Sequence, residues 1–256
     1  AKLKKELHLD ESLGVQLYYH LRDFSIISIE NSSEKSQKKY QYTRLFHTSK
    51  NTVLVVKKPY FGRSYQSNKL VSDTLIESME GTLWLAFTSM LIATFFGIIF
   101  GVFAAINYQT WIDHSLVTLS VVGISTPSFV AAILIAMVFG YYFTDITGLD
   151  MQGYLWETDP HTLEKKWVFK NLILPAITLG VRPLAIIMQL TRSSMLEVLS
   201  QDYIRTARAK GLRFSQVIFK HALKNALNPV ITAVSGWLAS LMAGAFFVEY
   251  VFNWRG

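Results

Sequence analysis

The chain has 256 residues, 51% of them hydrophobic and 17% charged, with a formal net charge of +7 and a mean hydropathy of +0.27. The charged fraction is below the roughly one quarter usual in soluble globular domains and points to a membrane protein; the basic residues are split between the N-terminal region and one later segment, which argues against a nucleic-acid surface. Cysteine is absent, which excludes a disulfide framework and a thiolate metal site.

The N-terminus, AKLKKELHLDESLG, is basic but has no apolar run of the kind a secretory signal needs. Residues 1–80 read as a polar, extramembrane region. Within it, Ser25 to Lys58 centre on the charged, turn-rich stretch NSSEKSQKKYQY, expected to be a solvated loop, and Thr52 to Val56 could form one short strand. Val71 to Met79 form a short amphipathic stretch suited to the membrane interface.

Four apolar spans follow. The first, Leu83 to Ile106, carries no charge and at 1.5 Å per residue covers roughly 36 Å, enough for a tilted crossing. Gly97 and Gly101 form a GxxxG pair in it that permits close approach of another helix. The second, Leu116 to Phe143, contains Ser125-Thr126-Pro127-Ser128-Phe129, where the proline removes a backbone donor and predicts a kink. The third, Asn171 to Leu190, carries Arg182 near its middle. So deep a cation should face the bundle interior or water. The fourth, Ala226 to Val248, has Gly236, Ser240 and Gly244 along one face, a stripe suited to packing on another helix, and is followed by Glu249, read as an interfacial carboxylate.

Between the last two spans lies the most informative stretch, Ser193 to Asn228. It carries Arg205, Arg208, Lys210, Arg213, Lys220 and Lys224 against only Glu197 and Asp202. On a helix, Leu196, Leu199, Tyr203 and Ala207 fall within about 80° of one another, with Gln201, Arg205 and Arg208 opposite. Gly211 supplies the left-handed residue that ends such a helix. Ser215 is a candidate N-cap for a second helix with Phe219, Ala222, Leu223 and Ala226 on one face. The segment thus reads as two short amphipathic helices bent at Gly211. Positive charge that merely sets topology explains part of it. A DNA-binding helix-turn-helix has a similar outline, but the flanking spans argue against it. A docking element for a soluble partner is the remaining reading. By its Lys/Arg content the segment should be cytoplasmic, which puts the acidic Thr144–Lys170 loop and residues 1–80 outside.

QDYIRTARAKGL followed by FKHALKNALNPV resembles the cytoplasmic EAA loop of ABC-importer permeases, and more narrowly that of the dipeptide/oligopeptide family, in its B-type subunit. Arg205, Thr206 and Ala207 stand where the general loop has Glu-Ala-Ala, and Gly211 matches its glycine. LHLDESLGVQLYYHLRDF, PYFGRSY, STPSF, LPAITLG and FFVEYVFNWRG are further family-like runs, whereas Ser25 to Lys58 has no counterpart and reads as an insertion, at about residues 25–58.

The resemblance implies an all-α polytopic membrane protein, a type I ABC-importer permease bundle in the bacterial inner membrane. Residues 1–80 would be its extracytoplasmic region and residues 81–256 its transmembrane domain. The family has six helices, so the first is expected before Ala1 and the last after Gly256, making this chain a fragment. Implied partners are a second homologous permease, two cytoplasmic ATPase subunits that bind ATP and magnesium, and an extracytoplasmic substrate-binding protein. No nucleic acid and no cofactor in this chain are expected. Asp202, Tyr203, Arg205, Thr206, Ala207, Arg208, Lys210 and Gly211 would meet an ATPase, and Ser125, Pro127, Ser128 and Arg182 would border the translocation path. Peptides are the implied substrates, with nickel complexes, glutathione or peptide-like antibiotics as variants.

No G-x-x-x-x-G-K-[ST] loop, H-E-x-x-H or G-x-S-x-G motif occurs, and the 6 histidines are scattered, so an enzyme is not expected. A structural or regulatory membrane protein without transport is the alternative class.

Overall fold

The computed structural model describes residues 11–31, 40, 42–49, 52–64, 66–158 and 164–255. The chain divides into two compact units, Ala1–Glu77 and Ser78–Gly256.

The first unit holds helix α1 (Leu13–Phe24) and strands β1 (Ile27–Asn31), β2 (Thr43–Ser49) and β3 (Thr52–Val56). The strands form one antiparallel sheet in the order β1-β3-β2. Here the expectation of a solvated loop with a single strand is corrected. Val53 and Val55 alternate inward and bury completely against Tyr40 and Tyr42, giving the insertion a small core of its own. β1 reverses the usual amphipathic sense. Ser28 and Glu30 face in, whereas Ile27 and Ile29 lie exposed. The buried Glu30 is tolerable because Lys57 Nζ meets it at 2.6 Å, and the same ammonium sits 3.9 Å from the Tyr40 ring centre. The charged centre of the insertion, residues 32–39, lies outside the described residues.

The second unit is built around α2 (Val71–Ile106, of which residues 78–106 belong to this unit) and α6 (Lys170–Leu199), each long and apolar enough to cross a membrane. Val71 to Met79, expected as a short amphipathic stretch at the interface, is continuous with the first apolar span. It is the opening of α2, because no residue between Met79 and Leu83 breaks the helix. Between these two helices come α3 (Trp111–Ser125), α4 (Ser128–Met137) continued by a π turn (Val138–Tyr142), the short α5 (Thr144–Thr147) and an antiparallel pair, β4 (Trp156–Thr158) with β5 (Lys165–Trp167). After α6 come α7 (Asp202–Ala209), α8 (Phe214–Gln216), a second π turn (Val217–Ala222), α9 (Leu223–Ala226), α10 (Asn228–Gly244) and α11 (Phe246–Val251).

The kink expected at Pro127 is a full break. α3 and α4 meet at 111°. Thr126, as the residue before proline, is pushed to an extended conformation (ψ 124°), and Pro127 itself has ψ 138°. The helix end that this leaves is satisfied locally. The Val122 carbonyl accepts from both the backbone N–H and the hydroxyl of Thr126. A gentler bend of 50° separates the Phe214–Ala226 run from α10. With each bent pair counted as one span, the described residues hold up to four.

α2 and α6 pack through small residues. A Cβ added at Gly97 would lie 2.8 Å from Ile187 Cγ2 and 3.0 Å from the Leu184 carbonyl oxygen. At Gly101 it would lie 2.5 Å from Thr191 Cβ and 2.7 Å from the Met188 oxygen. The GxxxG pair therefore lets two backbones approach within this chain. Gly236, Ser240 and Gly244 behave differently. All three are exposed on α10, and a Cβ at Gly236 or Gly244 would meet nothing within 4 Å.

Candidate coupling surface

α6 does not stop at the end of its apolar stretch but runs through Ser193 to Leu199. The backbone then leaves the helix at Gln201, which is extended (ψ 150°), and restarts as α7. Asp202 lies in the first turn of α7 and Arg208 in its last, both with favourable sign for the helix dipole. Ile204 and Ala207 are the two residues of α7 that bury. They enter a satellite core made by Met195, Val217, Ile218, Ala222 and Ala226 with Val102 and Ala105 of α2.

This shifts the expected amphipathic face. Tyr203, expected on that face with Leu196, Leu199 and Ala207, is 42% exposed, and its hydroxyl accepts from Asn225 Nδ2 at 2.8 Å. The break at Ser200–Gln201 rotates α7 relative to the helix before it, so one continuous 100° wheel misplaces the buried side. A similar correction applies downstream. Arg213, not Ser215, is the N-cap, its backbone N–H donating to Gln216 Oε1 at 3.2 Å. Phe219 is exposed because the π turn adds a residue to the helical repeat there, and the buried side falls on Val217, Ile218 and Ala222 instead.

What remains outward on α7 is polar and cationic: Asp202, Arg205, Thr206, Arg208 and Lys210 are all exposed. Arg205 Nη1 reaches Asp202 Oδ1 at 3.4 Å, but both groups are solvated, so the pair contributes little. Gly211 closes the helix at φ +75°, with its N–H donating to the Arg208 carbonyl at 3.0 Å. No atom lies within 4 Å of its would-be Cβ, so glycine is favoured there by backbone conformation and not by space. Beyond the turn, Leu212, Phe214 and Phe219 add exposed apolar side chains to the same loop. Phe219 is expected from the sequence on an apolar face, whereas Leu212 and Phe214 carry no expectation. Their signal was apolar residues breaking a basic run.

The residues singled out for a path come to one level of the bundle. Ser125, Pro127 and Ser128 are exposed at the break. Just before it, a Cβ at Gly123 would lie 3.3 Å from Val181 and 3.4 Å from Ala185, which brackets Arg182. Arg182 is exposed and, among the described residues, has no ion pair or hydrogen bond. It lies about 18 Å along α6 from Lys170 at the helical rise. An apolar recess of about 370 Å³ between α2 and α10, lined by Leu83, Trp84, Phe87, Leu238 and Met242 with Glu80, contains none of these residues. Among the described residues no group of three or more acidic or histidine side chains could hold a metal ion.

Long apolar helices, two bent apolar pairs and a cationic elbow clipped beneath them define a polytopic helical membrane protein. Residues 97–256 match the family described as binding-protein-dependent transport system inner membrane component, and the chain belongs to that family. It is 38% identical over 212 residues to the dipeptide transport system permease protein DppB of Haemophilus influenzae, covering 77% of this chain and 62% of that protein. To the di/tripeptide transport system permease protein DppB of Pseudomonas aeruginosa it is 39% identical, over 76% of this chain and 62% of the relative. To the glutathione transport system permease protein GsiC of Escherichia coli (strain K12) it is 38% identical, over 77% and 59%. The chain thus spans about three fifths of the length of the curated relatives it matches.

Proposed function

We propose that this chain is a permease subunit of an ATP-driven importer for peptides or peptide-like solutes, and that α7 with the Gly211 turn is where ATPase subunits push. The observation that carries this reading is the construction of α7. One side, Ile204 and Ala207, is locked into the bundle, and the other offers Arg205, Thr206, Arg208 and Lys210 with Leu212 and Phe214 nearby. A partner gripping that surface moves the ends of α2 and α6, because both share the satellite core. In this reading residues 193–228 are cytoplasmic and residues 1–80 lie outside. ATP and magnesium are held by the ATPases, an external binding protein delivers the solute, and a second permease covers the exposed stripe of Gly236, Ser240 and Gly244. The relatives named for dipeptides, tripeptides and glutathione support a short-peptide substrate class.

Gly211→Val tests the lever. Valine resists φ > 0 by about 1–2 kcal/mol, so the turn relaxes and α7 is re-aimed. Uptake should fall while the assembled complex still hydrolyses ATP, and Gly211→Asn, which tolerates the left-handed region, should keep most coupling. Wild-type uptake per ATP in the valine variant would remove Gly211 from the mechanism.

Arg182 is the group proposed to meet substrate carboxylates or peptide carbonyls. An arginine at mid-helix depth costs about 2.5–3.5 kcal/mol on insertion scales when it faces lipid, so the exposed Arg182 should face the water-filled path. Arg182→Ala should raise the apparent Km for an anionic dipeptide more than for an amidated one. Unchanged uptake, affinity and substrate range would take Arg182 off the path.

A further inference from the structure

Asp113 lies in the first turn of α3 with its side chain 1% exposed. Arg192 of α6 holds both of its oxygens: Nε donates to Oδ1 at 2.6 Å and Nη2 donates to Oδ2 at 2.7 Å. The backbone N–H of Gln109 adds a third donor, to Oδ2 at 3.0 Å, from a turn residue held at φ 61°. The Tyr108 ring lies 5.4 Å from the guanidinium carbon. Farther along the same two helices, Gln189 Nε2 donates to Ser120 Oγ at 2.7 Å. α3 and α6 are therefore tied at two levels, and the lower tie is a planar fork-to-fork pair that fixes orientation as well as distance.

The placement of the lower tie matters more than its strength. Arg192 stands on the same unbroken helix as Leu199, the last residue before the turn into α7. Asp113 stands on the same unbroken helix as Ser125, the last residue before the break at Pro127. We propose that Asp113 and Arg192 are positioning residues for transport: their bidentate pair is the link by which displacement of the α7 surface is carried through α6 to α3 and the Pro127 break. This rests on the reading of α7 as the ATPase-coupling helix. Coupling between distant sites can be carried by a chain of rigid elements joined through packed side chains and salt bridges. The run α7, α6, Arg192, Asp113, α3 is such a chain, and of the two side-chain ties between α3 and α6 the salt bridge is the charged, bidentate one and the nearer to α7 along α6. A pair that served only to hold the fold would affect assembly and melting but not the response of α3 to nucleotide.

The test uses the full permease in its complex with the ATPase subunits. Because this chain has no cysteine, Val122→Cys, at an exposed position of α3 one turn before the break, places a single thiol in it, and maleimide labelling of that thiol is followed in this subunit with and without vanadate-trapped nucleotide. The labelling rate should change with nucleotide in the otherwise unaltered protein. With Asp113→Asn, or with Arg192→Lys, which keeps the charge but not the fork, that change should collapse about tenfold, while the ATPases still co-purify and hydrolyse ATP. The exchanged pair Asp113→Arg with Arg192→Asp should restore part of it. A full nucleotide response in Arg192→Lys, or in Asp113→Asn, overturns the proposal and leaves the coupling role of α7 standing. If Asp113→Asn fails to assemble, the lysine variant alone decides, in the same two directions. No nucleotide response in the otherwise unaltered protein, or no ATPase bound to it, overturns the reading of α7 itself and this link with it.

Discussion

Valine in place of Gly101 will destabilise the helical unit by about 3 kcal/mol, at the upper end of what overpacking does in well-packed cores. The added Cβ alone would sit 2.5 Å from Thr191 Cβ and 2.7 Å from the Met188 carbonyl oxygen. Neither is the free end of a flexible side chain, so α2 and α6 must separate. Separation also opens the neighbouring contacts of Gly97 on Ile187, and of Gly180 on the Ser89 carbonyl, where a Cβ would lie 3.0 Å away. Thermal melting of the purified complex should drop by roughly 6–12 °C, scaling the loss by the usual shift for a chain of this size. Valine at Gly236 is the informative comparison, since a Cβ there meets nothing within 4 Å of this chain. It should leave the subunit's own packing intact and act through assembly with a partner. Equal effects at the two glycines would mean that the α2–α6 contact is not a tight backbone approach.

The two glycine pairs also show what a sequence can and cannot say about such a bundle. Both read as small-residue stripes on apolar helices, yet only Gly97 and Gly101 are covered within the chain, because coverage depends on which helix happens to lie opposite. The apolar spans themselves were legible, since the hydrocarbon length of Leu83 to Ile106 needs no tertiary context. The break at Pro127 was legible in place but not in angle. Proline predicts a lost donor, while the 111° turn depends on both Thr126 and Pro127 taking extended dihedrals. The break at Ser200–Gln201 carries neither proline nor glycine, and it left no mark that periodicity could detect. It is set by burial of Ile204 among residues from four other segments. The small sheet was half legible. TVLVV reads as a strand from its apolar, β-branched run, whereas β2 (TRLFHTS) has no clean alternation and β1 (ISIEN) alternates but turns its polar side inward toward Lys57. Asp113 gave no signal, since an aspartate after a turn becomes notable only when Arg192, 79 residues away, closes on it.

Shortening Ile204 to alanine should uncouple this protein more severely than removing the Tyr203 ring, although the basic-loop pattern alone would rank them the other way. Ile204 is fully buried against Met195, Val217, Ile218 and Ala222, whereas Tyr203 is 42% exposed and held by one hydrogen bond from Asn225. Loss of the isoleucine side chain removes about 2–5 kcal/mol of packing. The satellite core is small, so the loss should appear as local opening of α7 and not as global unfolding. Amide exchange across residues 202–209 should accelerate roughly thirtyfold or more for a loss of about 2 kcal/mol. For Tyr203→Ala the lost hydrogen bond is worth about 0.5–1.5 kcal/mol, a rise of roughly two- to twelvefold. Uptake should follow the same order, because a helix no longer seated in the bundle transmits little of what a partner does to its outer face. If Tyr203→Ala freed α7 more than Ile204→Ala, the helix would be held from its solvent side, and a push on that side would not reach α2 and α6 through the satellite core.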